Sequence, residues 1–228
     1  AADLYRTWYD TGDGPIAWNV SASARDRFEA RTWWFPVVGV VPYLGFFDEA
    51  ESRAMAEILE VDEDLDVLRR EVGAFSTLGW FDDPVFSSAL RGDDFDVARL
   101  VLHEMAHAEV FFPGHVAWNE NFATLVGDRA ALRFLIERYG DHSGPVVRAR
   151  GRLGDERVLR GALDGVLANL EALYEGPGSR ADKLLAREKV FAQGKATLAA
   201  LGDVGGARRW IARPWNNALW MSLRRYQG

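Results

Sequence analysis

The chain has 228 residues, 48% hydrophobic and 27% charged, and its 27 basic and 34 acidic side chains give a net charge of -7. This is an ordinary globular composition, long enough to bury a sizeable core and unlike a disordered or collagenous chain. The acidic balance argues against a general nucleic-acid binder, and the absence of cysteine excludes disulfides, thiolate zinc sites, iron–sulfur clusters and a cysteine nucleophile, so any metal must sit on His, Asp or Glu.

Aromatics crowd the first third in Trp8-Tyr9, Trp18, Trp33-Trp34-Phe35 and Phe46-Phe47, interleaved with Val37-Val38-Gly39-Val40-Val41 and the turn formers Pro36 and Pro42. Such short β-prone runs bounded by Pro and Gly predict strands. Glu49 to Glu60 has helical spacing, with Ala50, Ala54, Ile58 and Leu59 on one side and acids on the other. Asp66 to Gly73 and the following Ala74-Phe75-Ser76-Thr77-Leu78-Gly79 read as extended chain ending at a Gly-Trp-Phe-Asp-Asp-Pro turn. From Asp93 the pattern becomes helical. Asp93 or Asp94 can cap a helix that reaches about Val110 and is stopped by Pro113-Gly114, and Asn119 can cap the next, which runs to Tyr139-Gly140. Further helices are expected at about Glu156 to Tyr174, Ser179 to Leu201 and Trp215 to Tyr226. The expectation is a single α+β domain, β-rich over 1–92 and helical over 93–228, with no internal repeat.

Charge is distributed unevenly along that order. Residues 1–110 hold 9 basic and 22 acidic side chains, a balance of -13, and residues 111–228 hold 18 and 12, a balance of +6. Such a split polarises a cleft between the halves, or else it belongs to solvated helices whose opposite charges pair. No run of about 18 apolar residues occurs, so no integral membrane segment is expected, and the first residues lack the n- and h-regions of a signal peptide.

The chemistry concentrates in His103-Glu104-Met105-Ala106-His107, an HExxH motif. Residues four apart lie on one face of a helix, so both imidazoles can address one ion while Glu104 reaches a water from the side. Shuffling this composition would place the pattern only about 0.005 times per chain, which makes coincidence a poor explanation. Catalytic zinc takes three protein ligands and leaves a position to water. Glu120, in Asn119-Glu120-Asn121-Phe122-Ala123, is the first candidate for the third, since a short loop through Pro113-Gly114 can fold its helix back on the first. His115 is the rival, but seven residues separate it from His107 where the metzincin pattern HExxHxxGxxH has five. Zn2+ brings the pKa of a bound water to near 7, and Glu104 can accept its proton and later serve the leaving amine. Asp93, Asp94, Asp96 or the turn Asp82-Asp83 can hold the second nitrogen of each imidazole. Candidates for an oxyanion donor are Tyr43, Tyr139, Tyr174, Tyr226 and His142. Gly73 to Leu78 ends 25 residues before His103, the position of the edge strand that pairs with the substrate backbone in thermolysin-like folds.

Phe35-Pro36-Val37-Val38-Gly39, Gly45-Phe46-Phe47, Ser76-Thr77-Leu78-Gly79-Trp80-Phe81-Asp82-Asp83-Pro84, the HExxH motif, Asn119-Glu120-Asn121-Phe122-Ala123 and Trp215-Asn216-Asn217-Ala218 together resemble the family of bacterial predicted aminopeptidases, over about Tyr5 to Tyr226. The resemblance implies a zinc-dependent peptidase of gluzincin type, a helical zincin-like catalytic half beneath an edge strand, with His103, His107 and Glu120 as ligands and Glu104 as acid/base. It also directs attention to Asn216, Asn217 and Tyr226, with Tyr226 the first choice for oxyanion donor. Ala74, Phe75, Ser76 and Thr77, with Asn216 and Asn217, are the expected substrate contacts. Members often carry cysteines near the positions of Trp34 and Val40, and neither is cysteine here. Members also carry a longer N-terminal region, often a lipoprotein or secretory signal, which implies a periplasmic or membrane-anchored protein, with the cytoplasm also open. No exopeptidase signature such as GxMEN is present, although Asp82, Asp83 or Glu109 can neutralise a substrate ammonium group.

The expected function is therefore zinc-dependent hydrolysis of peptides. The same ion and carboxylate would also serve an amidase acting on a small non-peptide amide, and a zinc-bound binding protein without turnover is the reading from outside the enzymes.

Overall fold

In a computed structural model of the chain, residues 8–10, 12, 14–36, 39–72, 85–87, 92–112 and 115–224 are described. β2 (Ala17–Ala24), which carries Trp18 and Val20, is centred between β5 (Leu44–Phe46) and β6 (Leu65–Val72) in an antiparallel sheet of order β5-β2-β6. Its register sets Trp18 opposite Phe46 and Glu71, and Ala24 opposite Leu65. Helix α1 (Glu49–Glu60) starts at Asp48, whose carboxylate accepts the Glu51 N–H, and packs Ala56 and Leu59 onto Val20 and Ala22 of the sheet. β3 (Trp33–Phe35) and β4 (Gly39–Val41) form a hairpin in which Trp34 faces Val40, so the two positions linked above to family cysteines are cross-strand partners. β1 (Trp8–Tyr9) runs parallel to β7 (Val85–Phe86).

The helical part comprises α2 (Asp94–Glu109), α3 (Val116–Tyr139), α4 (Gly144–Glu175), α5 (Arg180–Ala200), α6 (Ala207–Ala212) and α7 (Asn217–Arg224). Phe95, Ala131, Leu135, Val146 and Ala149 form a core that clasps the start of α2, the end of α3 and the start of α4. A larger core joins Leu163, Leu167 and Leu170 of α4 to Phe191 and Leu198 of α5, closed by Trp215 and Trp220, whose rings meet edge to face at 4.8 Å. Each large apolar side chain so buried contributes about 1.5–3 kcal/mol. No helix among the described residues is long and apolar enough to cross a membrane.

The class is α+β, as expected, but two helix starts differ. α3 begins three residues before Asn119, with His115 in the cap position and no side-chain cap bond. α4 begins at Gly144, twelve residues before the expected Glu156. Ser143-Gly144-Pro145 is the start signal, with Pro in the first turn where its missing N–H costs nothing, and Gly151 and Gly154 obscured the pattern beyond it.

Sheet and helices meet at a buried polar junction. The Asp66 carboxylate on β6 accepts from Arg187 Nη1 at 2.6 Å and from the Asn217 N–H at 2.8 Å. The Asn217 side chain donates to the main-chain oxygens of Ala24 and Arg25 at 2.9 and 3.0 Å and accepts from the Tyr174 hydroxyl at 2.7 Å. Burial works against the Arg187 charge, yet the Asp66 carboxylate outweighs it and raises the guanidinium above its usual range.

Candidate metal centre

The HExxH helix is fixed at its start. Asp93 accepts the N–H groups of Phe95 and Asp96 while the Asp96 side chain accepts the Asp93 N–H, a reciprocal capping box. Arg152 of α4 pairs with Asp93 at 2.7 Å and also with Asp96. That hydrogen bond from Arg152 holds the Asp93 carboxyl below its ordinary range, against a smaller opposing effect of burial.

The turn back to α3 is held by Asn119, which is buried. Its Oδ1 accepts the Phe112 N–H at 2.9 Å and its Nδ2 donates to the Phe112 oxygen at 2.8 Å, satisfying both main-chain groups of one loop residue. Phe112 meets Trp118 edge to face, and Trp118 stacks on Phe122, with centroids 4.6 and 5.1 Å apart. Further along the antiparallel pair, a Cβ on Gly127 would lie 2.8 Å from the Arg99 main-chain oxygen and 3.3 Å from His103 Cβ. Only glycine lets α3 approach α2 this closely at His103. Beside it, Arg99 of α2 pairs with Asp128 of α3 at 2.5 Å and with Glu156 of α4 at 2.9 Å.

These constraints bring three donors to one point. His103 Nε2 and His107 Nε2 are 3.1 Å apart, and Glu120 Oε2 and Oε1 lie 3.6 and 3.4 Å from them respectively. Four ligands around zinc at about 2.0–2.1 Å stand about 3.3 Å apart along each tetrahedral edge. The two imidazole nitrogens stand about that far apart, each has a different oxygen of Glu120 nearby, and the donor set of two imidazoles and a carboxylate suits the same ion. The group can therefore hold a metal. Hydrogen bonding to His103 lowers the Glu120 carboxyl, partly offset by burial and aided by the charges of His107 and His103, so it is ionised as a ligand must be.

Glu104, one residue after His103, is partly buried on the same helix, whereas His115 and Glu109 are exposed and outside the donor group. The proposed outer acceptors are engaged elsewhere: Asp93 and Asp96 with Arg152, and Asp94 with the Tyr139 hydroxyl. Tyr174 is spent on the buried junction, and His142 is almost fully exposed beside Asp141. Asn216 donates to the Val67 oxygen on β6 and accepts the Leu219 N–H, so both Asn216 and Asn217 engage the sheet and their own helix rather than the three donors. Ala74, Phe75, Ser76, Thr77, the Asp82-Asp83 turn and Tyr226 lie outside the described residues.

Sequence reasoning missed Gly127 and the Arg99–Asp128 brace. A lone glycine inside a helical pattern is the signal that could have exposed the first. It also gave Asn119 a capping role where the side chain instead clamps the loop.

An α+β chain that gathers an HExxH pair and a carboxylate from the next helix has a ready site for a metal. The chain belongs to the family described as "Putative aminopeptidase", whose model matches residues 1–228. No curated protein and no solved structure matches it.

Proposed function

We propose that the chain is a zinc-dependent aminopeptidase of gluzincin type, with His103, His107 and Glu120 as ligands and Glu104 as general acid/base. The observation that carries this reading is the convergence of two imidazoles and a carboxylate from the HExxH helix and the helix after it, with His103 Nε2 and His107 Nε2 3.1 Å apart and each within 3.6 Å of an oxygen of Glu120. Zinc held there would supply Lewis acidity, acidifying water and polarising the scissile carbonyl. Neutral imidazoles and a single carboxylate leave most of that positive charge unquenched, unlike a thiolate set.

Glu104 takes a proton from the attacking water and delivers it to the leaving amine nitrogen as the C–N bond breaks. No covalent enzyme intermediate is needed. The Asn119 clamp, the Gly127 contact and the Arg99–Asp128 pair hold the ligand helices at the required separation, so little reorganisation accompanies binding. In this reading Ala74, Phe75, Ser76 and Thr77 pair with the substrate backbone, and Tyr226 donates to the oxyanion. Asn216 and Asn217 act at a distance by fastening to the sheet the helix that precedes Tyr226.

A peptide with a free amino terminus compared with its N-acetylated twin tests the assignment. Release of the first residue from the free form alone is expected. Equal cleavage of both at internal bonds would replace the exopeptidase by an endopeptidase.

A further inference from the structure

A cleft of about 680 Å3 lies against α3 and α4, and the reaction described above makes no use of it. That volume falls within the roughly 300–1,000 Å3 of ordinary ligand sites. Its lining starts one helical turn from the three donors on both helices: Arg99 precedes His103 by four residues, and Thr124 follows Glu120 by four. Residues at that spacing share a helix face, so the rim of the cleft adjoins the ligands, and the rest of its α3 lining, Leu125, Asp128 and Arg129, is turned about a quarter to a half turn away from Glu120.

Its charges are not balanced. Arg99 is neutralised by Asp128 and Glu156, and Arg150 by Asp141. Arg129 of α3 and Arg157 and Arg160 of α4 line the same cleft, are exposed, form no ion pair among the described residues, and outnumber the one further carboxylate of the lining, Asp164. Leu153, Leu163 and Trp210 supply an apolar floor. Like charges converging on one cavity repel, and a guanidinium fork matches a carboxylate in shape and charge.

We propose that this cleft recognises a carboxylate on the leaving side of a peptide substrate. The proposal rests on the aminopeptidase reading, in which one residue precedes the scissile bond and the rest of the peptide must extend away from it. On α3 the cleft runs from Thr124 to Leu132, four to twelve residues beyond Glu120; the middle of that span is about 12 Å along the helix axis, which is about four residues of extended peptide. The selected group is an acidic side chain at the fourth position beyond the bond, or the terminal carboxylate of a peptide of that length.

Calorimetric titration of the zinc-loaded full-length Glu104→Gln chain, which binds peptide without cleaving it, separates the possibilities. The probes are pentaalanine amide, the same amide with Glu at the fifth residue, and pentaalanine with a free carboxyl end. One or both carboxylate peptides are expected to bind about tenfold tighter than the neutral amide, with the gap narrowing as salt rises. The one that does identifies side chain or terminus as the source. Arg157→Ala/Arg160→Ala, or Arg129→Ala should the double variant melt early, is expected to close the gap to about twofold. Equal affinity for all three peptides, no binding of any, or a gap untouched by both variants overturns the site. A gap that closes in the variants while the unaltered chain cleaves no free peptide keeps the carboxylate site and overturns the aminopeptidase reading.

Discussion

Gly127 sets the distance between the two helices that carry the ligands. An added methyl there would meet the Arg99 main-chain oxygen at 2.8 Å, and neither that oxygen nor the helix behind it can move aside cheaply. Gly127→Ala is therefore expected to destabilise the protein by about 1–3 kcal/mol and to weaken metal affinity by displacing Glu120 from the imidazoles. Gly161→Ala is the control, because its added methyl meets nothing within 4 Å on α4, and a gain of about 0.5–1 kcal/mol is expected from helix propensity. Thermal melting with and without zinc checks both. His103, Glu104, His107 and Glu120 were legible in the sequence because their spacing is itself the chemistry. The glycine that brings them together was not, since the Arg99 and His103 atoms it meets belong to the preceding helix and no local pattern encodes the contact.

Among the elements, α2 depends most visibly on charge at its start. Arg152 lowers the Asp93 carboxyl, so in the folded chain Asp93 ionises more readily than at its unfolded value of 3.8. The stability this contributes is fully present above that value and is lost as pH falls through the depressed native one. Because both partners are partly exposed, the effect is a modest one. Asp93→Asn keeps a good cap but removes the charge, and a flatter decline of melting temperature than in the parent is expected as pH falls below 3.8. Asp93 and the helix it starts were legible from the sequence. The first twelve residues of α4, which bring Arg152 to this cap, were not. Their start signal at Ser143 to Pro145 precedes glycines that weaken local propensity, and the helix is sustained by Val146 and Ala149 packing on Phe95 and Leu135.

Across the molecule, the acidic first part and basic second part pair with one another. Arg187 meets Asp66, Arg180 meets Asp64, and Arg152 meets Asp93 and Asp96. The charge split counted along the chain thus serves to join the β6 region to α5 and α4 to the start of α2, which a linear count cannot distinguish from a polarised cleft. Asn217 is central to that join. Asn217→Ala leaves the Tyr174 hydroxyl and the main-chain oxygens of Ala24 and Arg25 short of partners, and a loss of about 3 kcal/mol is expected in denaturant titration. Burial also pushes the Tyr174 phenol up to about 12 from 10.0, partly countered by its bond to Asn217. Its native proton is held where the unfolded chain has lost it, so stability present below pH 10.0 falls as pH rises toward about 12. Tyr174→Phe is expected to flatten that alkaline decline.

The central claim is that His103, His107 and Glu120 hold a zinc ion for which Glu104 handles the proton. Measuring metal content and peptide hydrolysis on one preparation of Glu104→Gln, beside the unaltered chain, tests it most directly. Each is predicted to hold about one zinc per chain, with hydrolysis reduced by about three orders of magnitude or more in Glu104→Gln. Hydrolysis undiminished in that variant, or an unaltered chain fully active without metal, would contradict the account.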